Sequence, residues 1–203
     1  MKIKEFFDVD ILSNKISDYI ITNANIADEI QRDNVQYGVS VFMYNLSKLP
    51  VIFLLAYYLG IIQYTIVALL SFGFIRTSAC GLHAQTSLTC LIYSIMILLG
   101  IPLVSVHIIM PTIITFTIFI YSFILAILFA PADTEEKPIA SMKLRRKLKI
   151  AALVSIFISF LITFAVSPIY ANVITLSVFV ECTLTTPLLY RIFKKRYNNY
   201  KYL

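Results

Sequence analysis

The chain has 203 residues, is 59% hydrophobic and only 14% charged, with a mean hydropathy of +0.83 and a formal net charge of +6. That composition excludes an ordinary soluble domain, where about a quarter of residues are charged, and three cysteines exclude a disulfide-built scaffold. The positive charge does not mark a nucleic-acid binder, because the basic residues flank lipid spans and are not expected to be interleaved with exposed aromatics; anionic headgroups or an acidic partner suit them better.

Residues 1–48 hold seven acidic and five basic residues. Among them Ile11, Leu12, Ile16, Tyr19 and Ile20 fall near one helical face, which predicts an amphipathic helix on the membrane surface within an N-terminal region 1–38. No apolar core follows Met1-Lys-Ile-Lys, so a cleavable signal peptide is not expected. Between Val39 and Ile75, two membrane segments broken near Gly60 are preferred to one, with Lys48 and Pro50 inside the first. Residues 49–75 are 27 uncharged positions in a row and residues 77–132 are 56 more. A bilayer crossing takes about 20 apolar residues, so the longer run holds two spans, with Pro102 and Pro111 bounding the break. After a charged stretch 133–149 come 31 uncharged residues, 150–180, leading past Glu181 to Tyr190; Ser167, Pro168 and Asn172 divide them into two spans.

The predicted architecture is all-α: one integral membrane domain over 1–203, a polytopic helical membrane protein with about six segments within 39–190 and a basic tail 191–203. Eleven of the seventeen basic residues lie in two places, Lys137, Lys143, Arg145, Arg146, Lys147 and Lys149 in one loop and Arg191, Lys194, Lys195, Arg196 and Lys201 in the tail. Both places are expected in the cytoplasm, and counting back two spans puts Arg76 and His83 on the same side.

The segment 76–90 carries the chemistry, since it sets Arg76, Gly81, His83 and Cys90 inside an apolar chain. Ionisable and nucleophilic groups are costly beside hydrocarbon, so their presence calls for catalysis, transport or a buried polar network. A thiol with a reference pKa of about 8.5 is mostly protonated in the cytoplasm, and a neighbouring imidazole would take its proton so that a thiolate attacks a carbonyl. On one continuous helix seven residues would separate His83 from Cys90 by roughly 10 Å along the axis, too far for a hydrogen bond. The helix must therefore start or bend between them, which Gly81 and the polar run 84–87 allow. Arg76 could grip a substrate carboxylate or a developing oxyanion; its commoner role would be an interfacial anchor. Cys80, His83 and Cys90 make a poor structural metal site, three ligands on irregular spacing, and neither a metal nor a cofactor is expected. Cys182 reads as a small buried apolar residue, His107 as an interfacial side chain across the membrane from the site, and Glu181 as a buried polar contact near mid-span, away from Cys90 in depth.

Arg76, the Gly81-Leu82-His83-Ala84 stretch, Cys90, and the Ala130-Pro131-Ala132-Asp133 stretch running to Lys137, Pro138 and Ile139 before the basic cluster strongly resemble the accessory gene regulator B family of Firmicutes. The resemblance covers nearly the whole chain, including its length and six-segment plan. It implies a bacterial cell-membrane cysteine endopeptidase with His83 and Cys90 as the catalytic pair, and with Arg76 and Gly81 needed for activity. The implied substrate is a short precursor peptide with an amphipathic leader, a signal core containing its own cysteine or serine, and an acidic C-terminal tail. Cleavage would leave the core as an acyl-enzyme on Cys90, from which it closes into a cyclic thiolactone or lactone for quorum sensing. Cys80 adds a second thiol, read as a small residue packed at the turn. Lys143, Arg145, Arg146, Lys147 and Lys149 would steer the acidic tail.

Other classes fit less well. A small-peptide transporter lacks paired acidic residues or inverted repeats, and a non-catalytic membrane scaffold leaves the 76–90 cluster unexplained. The partners expected are the precursor peptide and the lipid bilayer, with no nucleic acid; a homodimer stays open.

Overall fold

The computed structural model describes residues 9–82, 87–134 and 138–202. All regular structure among them is helical, and four helices are long and apolar enough to cross a membrane. The chain separates into two compact units, Met1–Leu55 and Ala56–Leu203.

The first unit contains α1 (Val9–Asn23) and the greater part of α2 (Glu29–Tyr58). On α1 the apolar side chains Ile11, Leu12, Tyr19 and Ile20 are exposed, while Ser13 and Ser17 are buried. The two helices meet through polar groups: Gln36 donates to Asn14 at 3.3 Å, Ser40 to Ser13 at 3.4 Å, and the Tyr44 hydroxyl to Asp10. Such a pair suits a bilayer, where apolar faces lose nothing by staying outside and small polar residues bring helices close. α2 starts at Glu29, ten residues before the expected start of the first membrane segment, and passes through Pro50.

The second unit opens on the end of α2, which stops as expected at Gly60. There φ is +67°, Gly60 N–H bonds the Tyr57 carbonyl at 3.0 Å and Ile61 N–H bonds that of Ala56 at 2.9 Å. This paired pattern needs a left-handed residue at its centre, which glycine supplies without a Cβ penalty. Five longer helices follow: α3 (Ile62–Ala79), α4 (Ser87–His107), α5 (Thr112–Phe129), α6 (Met142–Thr163) and α7 (Pro168–Leu184). Besides α2, the span-length helices are α3, α4 and α5; α7 is apolar but shorter, and α6 begins with basic turns. α4 continues through Pro102 to His107, so the break lies at residues 108–111 alone. Neighbouring helices re-satisfy the backbone that an intramembrane proline frees.

α7 is the central element and packs against α3, α4, α5 and α6. Being surrounded, it buries small and polar residues, among them Asn172, Thr175, Ser177 and Glu181, beside Val173 and Val178. The core joins Ile75 and Ala79 of α3, Phe119 and Ala126 of α5, Ala152 and Ile156 of α6, and Ile174, Val178 and Cys182 of α7. Serine and threonine hydroxyls satisfy themselves on carbonyls one turn back, as Ser105 does on Ile101 and Ser177 on Val173, both at 2.8 Å. Outward faces carry large apolar side chains, with Ile113 72% and Leu128 62% exposed, the surface a hydrocarbon solvent wants.

The bundle has two distinct ends. At one, Asn172 donates to the Ile108 carbonyl at 2.7 Å and accepts from Met110 N–H at 3.3 Å, tying the α4–α5 turn to α7. His107 lies at this end, its ring nitrogen 2.7 Å from the Leu103 carbonyl. At the other end the chain leaves α3, enters α4, leaves α5, enters α6 and leaves α7.

Candidate active site

At that second end the helix α3 is finished by two residues in the positive-φ half of the backbone map, Cys80 at +61° and Gly81 at +104°. Cys80 N–H caps the Arg76 carbonyl at 3.1 Å. The reversed chain then meets the segment after α5. Ala132 N–H bonds the Ala79 carbonyl at 3.0 Å and Gly81 N–H bonds that of Ala132 at 2.9 Å, the two halves of a parallel bridge. Leu82 N–H points at the Leu184 carbonyl at 3.5 Å, where α7 ends. A Cβ at Gly81 would stand 3.4 Å from that carbonyl oxygen, 3.5 Å from Arg76 Nη1 and 3.6 Å from Glu181 Oε1.

Arg76, in the last turn of α3, reaches inward. Its Nη1 lies 3.0 and 3.2 Å from the two carboxylate oxygens of Glu181, its Nη2 donates to the Leu82 carbonyl, and its guanidinium carbon sits 5.6 Å from the centre of the Phe72 ring. The arginine side chain is 20% exposed and the glutamate not at all. In the structure the guanidinium holds protein groups, the Glu181 carboxylate and the Leu82 carbonyl. Glu181 is indeed a buried polar contact. It is not mid-span, however, because α7 ends three residues later and puts the acid at the level of Arg76 and Gly81.

Cys90 occupies the first turn of α4 and is half-buried; Ser94 donates to its carbonyl at 2.8 Å. His83, with residues 84–86 of the polar run, lies outside the described residues, as does Lys137. α3 ends at Ala79 and the described part of the helix bearing Cys90 begins at Ser87. Cys182 is 1% exposed within the core, as expected, and Cys80 is half-buried in the turn. Among the described residues no group of three or more histidine, cysteine or acidic side chains could hold a metal ion.

Beside this turn a second buried acid organises the loop. Asp133, 1% exposed, accepts from three backbone amides, Ile139 at 3.4 Å, Asn199 at 3.1 Å and Tyr200 at 2.8 Å, and its Oδ2 lies 3.5 Å from Arg145 Nη1. Arg145 also donates to the Pro131 carbonyl at 3.2 Å and stacks 3.7 Å over the Tyr200 ring. Tyr190 donates to the Asp133 carbonyl at 3.0 Å. Burial holds the Tyr197 phenol up at about 12, so it stays neutral against the Phe129 carbonyl at 3.5 Å. The basic cluster is therefore split. It stands on the first two turns of α6, capped by Ser141, where Lys143, Arg146 and Lys147 are exposed on one face, Lys149 is half-buried and Arg145 is committed to Asp133. The Asp133 hub was not anticipated; its only sequence signal is an acid opening a basic stretch.

A profile of the accessory gene regulator B family matches residues 13–185. An AgrB-like protein of Clostridium acetobutylicum is 33% identical over 172 residues, which cover 84% of this chain and 82% of that relative. The accessory gene regulator protein B of Staphylococcus aureus strain Newman is 31% identical over 184 residues, 90% of this chain and 97% of the relative. The protein of that name from strain MRSA252 is 30% identical over the same length, with 90% and 98% covered. No solved structure matches the chain.

Proposed function

The chain belongs to the accessory gene regulator B family, and on that premise we propose that it is a membrane-embedded cysteine endopeptidase acting on a short precursor peptide to make a cyclic quorum-sensing signal. One observation carries this reading: the 76–82 turn is pinned to α7 and to the loop after α5 immediately ahead of His83, with Cys90 in the first turn of the next helix. A turn held this firmly suits an imidazole that must meet a thiol.

In the proposed cycle His83 takes the Cys90 proton and the thiolate adds to a peptide carbonyl of the precursor. The adduct collapses as the imidazolium returns its proton to the departing tail amine, leaving the core as a thioester. The thiol or hydroxyl within the core then adds to that thioester, giving its proton to His83, and Cys90 thiolate leaves as the ring closes. Mass spectrometry tests this. In acid-quenched mixtures of the detergent-solubilised enzyme and its cognate precursor, Cys90 should carry the mass of the precursor up to the cut, leader plus core, and lose it to hydroxylamine. A labelled Cys80, or efficient cleavage without any thioester, overturns the assignment.

The site is proposed to face the cytoplasm. The basic start of α6 and the 191–202 tail meet at the end that holds Gly81, and basic flanks stay inside. In intact cells an impermeant thiol reagent should spare Lys143→Cys and Lys195→Cys and label Ser167→Cys. The opposite pattern would put the site outside.

The exposed face Lys143, Arg146 and Lys147 is proposed to attract the acidic tail of the precursor. Screening at a Debye length of about 8 Å at physiological salt weakens such steering. Replacing these three by glutamine should raise KM several-fold, flatten its dependence on salt and leave kcat little changed. Arg145→Gln should behave differently. It leaves buried Asp133 without its cation, a class of change that costs about 3–5 kcal/mol, so the loss should appear as a lower melting temperature in detergent. An unchanged KM in the triple variant reduces the face to an orientation signal.

A further inference from the structure

We infer that Glu181 is a positioning residue of the proposed peptidase, turning Arg76 inward so that its guanidinium fixes the Leu82 carbonyl and with it the backbone entering His83. The inference rests on the peptidase reading and adds to it a residue on a helix distant in sequence.

Left alone, an arginine one turn from a helix end snorkels to water or phosphate, where its charge is cheapest. Here it is drawn the other way, onto a carboxylate with no exposed surface. Glu181 is itself fixed, since α7 is packed on four sides and stops at Leu184. The guanidinium thus spans two groups that belong to different segments: Nη1 takes both Glu181 oxygens at 3.0 and 3.2 Å, and Nη2 takes the carbonyl of the residue before His83. Gly81 adjoins the pair, with Nη1 3.5 Å and Oε1 3.6 Å from where a Cβ would stand, and its φ of +104° turns the backbone so that the Leu82 carbonyl meets the guanidinium.

Stability does not account for this arrangement. A buried ion pair seldom outperforms apolar residues of the same volume, since the desolvation of two charges offsets their attraction, and intramembrane charges are costly in general. An apolar pair would fill the space equally well. What it could not do is hold a carbonyl in one place. Catalysis rewards such placement, as an error of about 1 Å at a reacting group can cost about 100-fold in rate.

The test separates position from folding and from the peptidase reading itself. Glu181→Gln keeps shape and one acceptor oxygen but removes the charge; it should lower kcat at least tenfold with KM unchanged. The double variant Arg76→Met with Glu181→Met should insert and melt like the wild type yet cleave as poorly as either single methionine variant, a coupling expected only if the two act as one unit. Cys90 alkylation by iodoacetamide, followed by mass spectrometry at neutral pH, reads the imidazole directly. His83→Ala and Glu181→Gln should slow it alike. Slowing by His83→Ala but not by Glu181→Gln overturns the role of Glu181 alone, whereas no slowing by His83→Ala overturns the peptidase reading. Wild-type kcat in Glu181→Gln, an effect on KM only, or an active double methionine variant also overturns the inference.

Discussion

Cys90→Ser and His83→Ala should each stop precursor cleavage in a protein that still inserts. A serine hydroxyl cannot be ionised at neutral pH by one imidazole as a thiol is, and the acyl intermediate needs that nucleophile, so the expected loss is about 1,000-fold or more. Removing the imidazole takes away both proton transfers, each of the kind general acid–base catalysis makes worth about 100- to 10,000-fold. The other thiols serve as controls. Cys182→Ala should retain cleavage, since its side chain lies in the core, 1% exposed among α3, α5 and α6 residues. Cys80→Gly should retain it too. At φ +61° glycine is at ease where cysteine is strained, so the variant removes the second thiol without disturbing the turn. Cleavage of a tagged precursor, followed by gel mobility, reads all four. Wild-type processing by Cys90→Ser, or its loss in Cys80→Gly alone, would move the nucleophile elsewhere.

Much of the fold was legible because hydrocarbon imposes simple rules. Uncharged runs marked the helices, and Gly60 marked a turn that geometry assigns to glycine. Gly81 was legible as well, as a residue at which the chain after Arg76 could turn, and its φ is +104°. The site's depth was not. An uncharged run does not say where a helix stops: α7 ends at Leu184 because Thr185 and Thr186 turn their hydroxyls back to the Cys182 and Thr183 carbonyls, both at 2.7 Å, and Pro187 starts a new helix. Only that ending brings Glu181 level with Arg76. Their pairing spans 105 positions and follows no local pattern. Arg145 makes the same point from the other side. In sequence it is one of five similar cations, and nothing but the folded position of Asp133 distinguishes it as structural.

Gly81→Ala should cost most of the activity while Gly73→Ala costs none, and the contrast isolates backbone geometry from side-chain volume. Gly73 lies inside α3 with nothing within 4 Å of an added Cβ, so alanine there should be neutral or stabilise by up to about 1 kcal/mol through helix propensity. At Gly81 the added methyl also finds only ordinary contact distances, 3.4 to 3.6 Å, so crowding alone would be tolerable. The backbone is what alanine cannot accept, because φ is +104° and a substituted residue held there is strained by about 1–3 kcal/mol. The chain can relieve that strain only by rotating the peptide planes on either side of Gly81. Doing so loosens the N–H bond to Ala132 and the carbonyl that Arg76 holds at Leu82. His83 follows directly, so the loss should fall on kcat, at least tenfold, with insertion and KM near normal. Valine, with a branched Cβ at the same φ, should be worse than alanine. If Gly81→Ala cleaves as fast as Gly73→Ala, the turn is not what positions the imidazole.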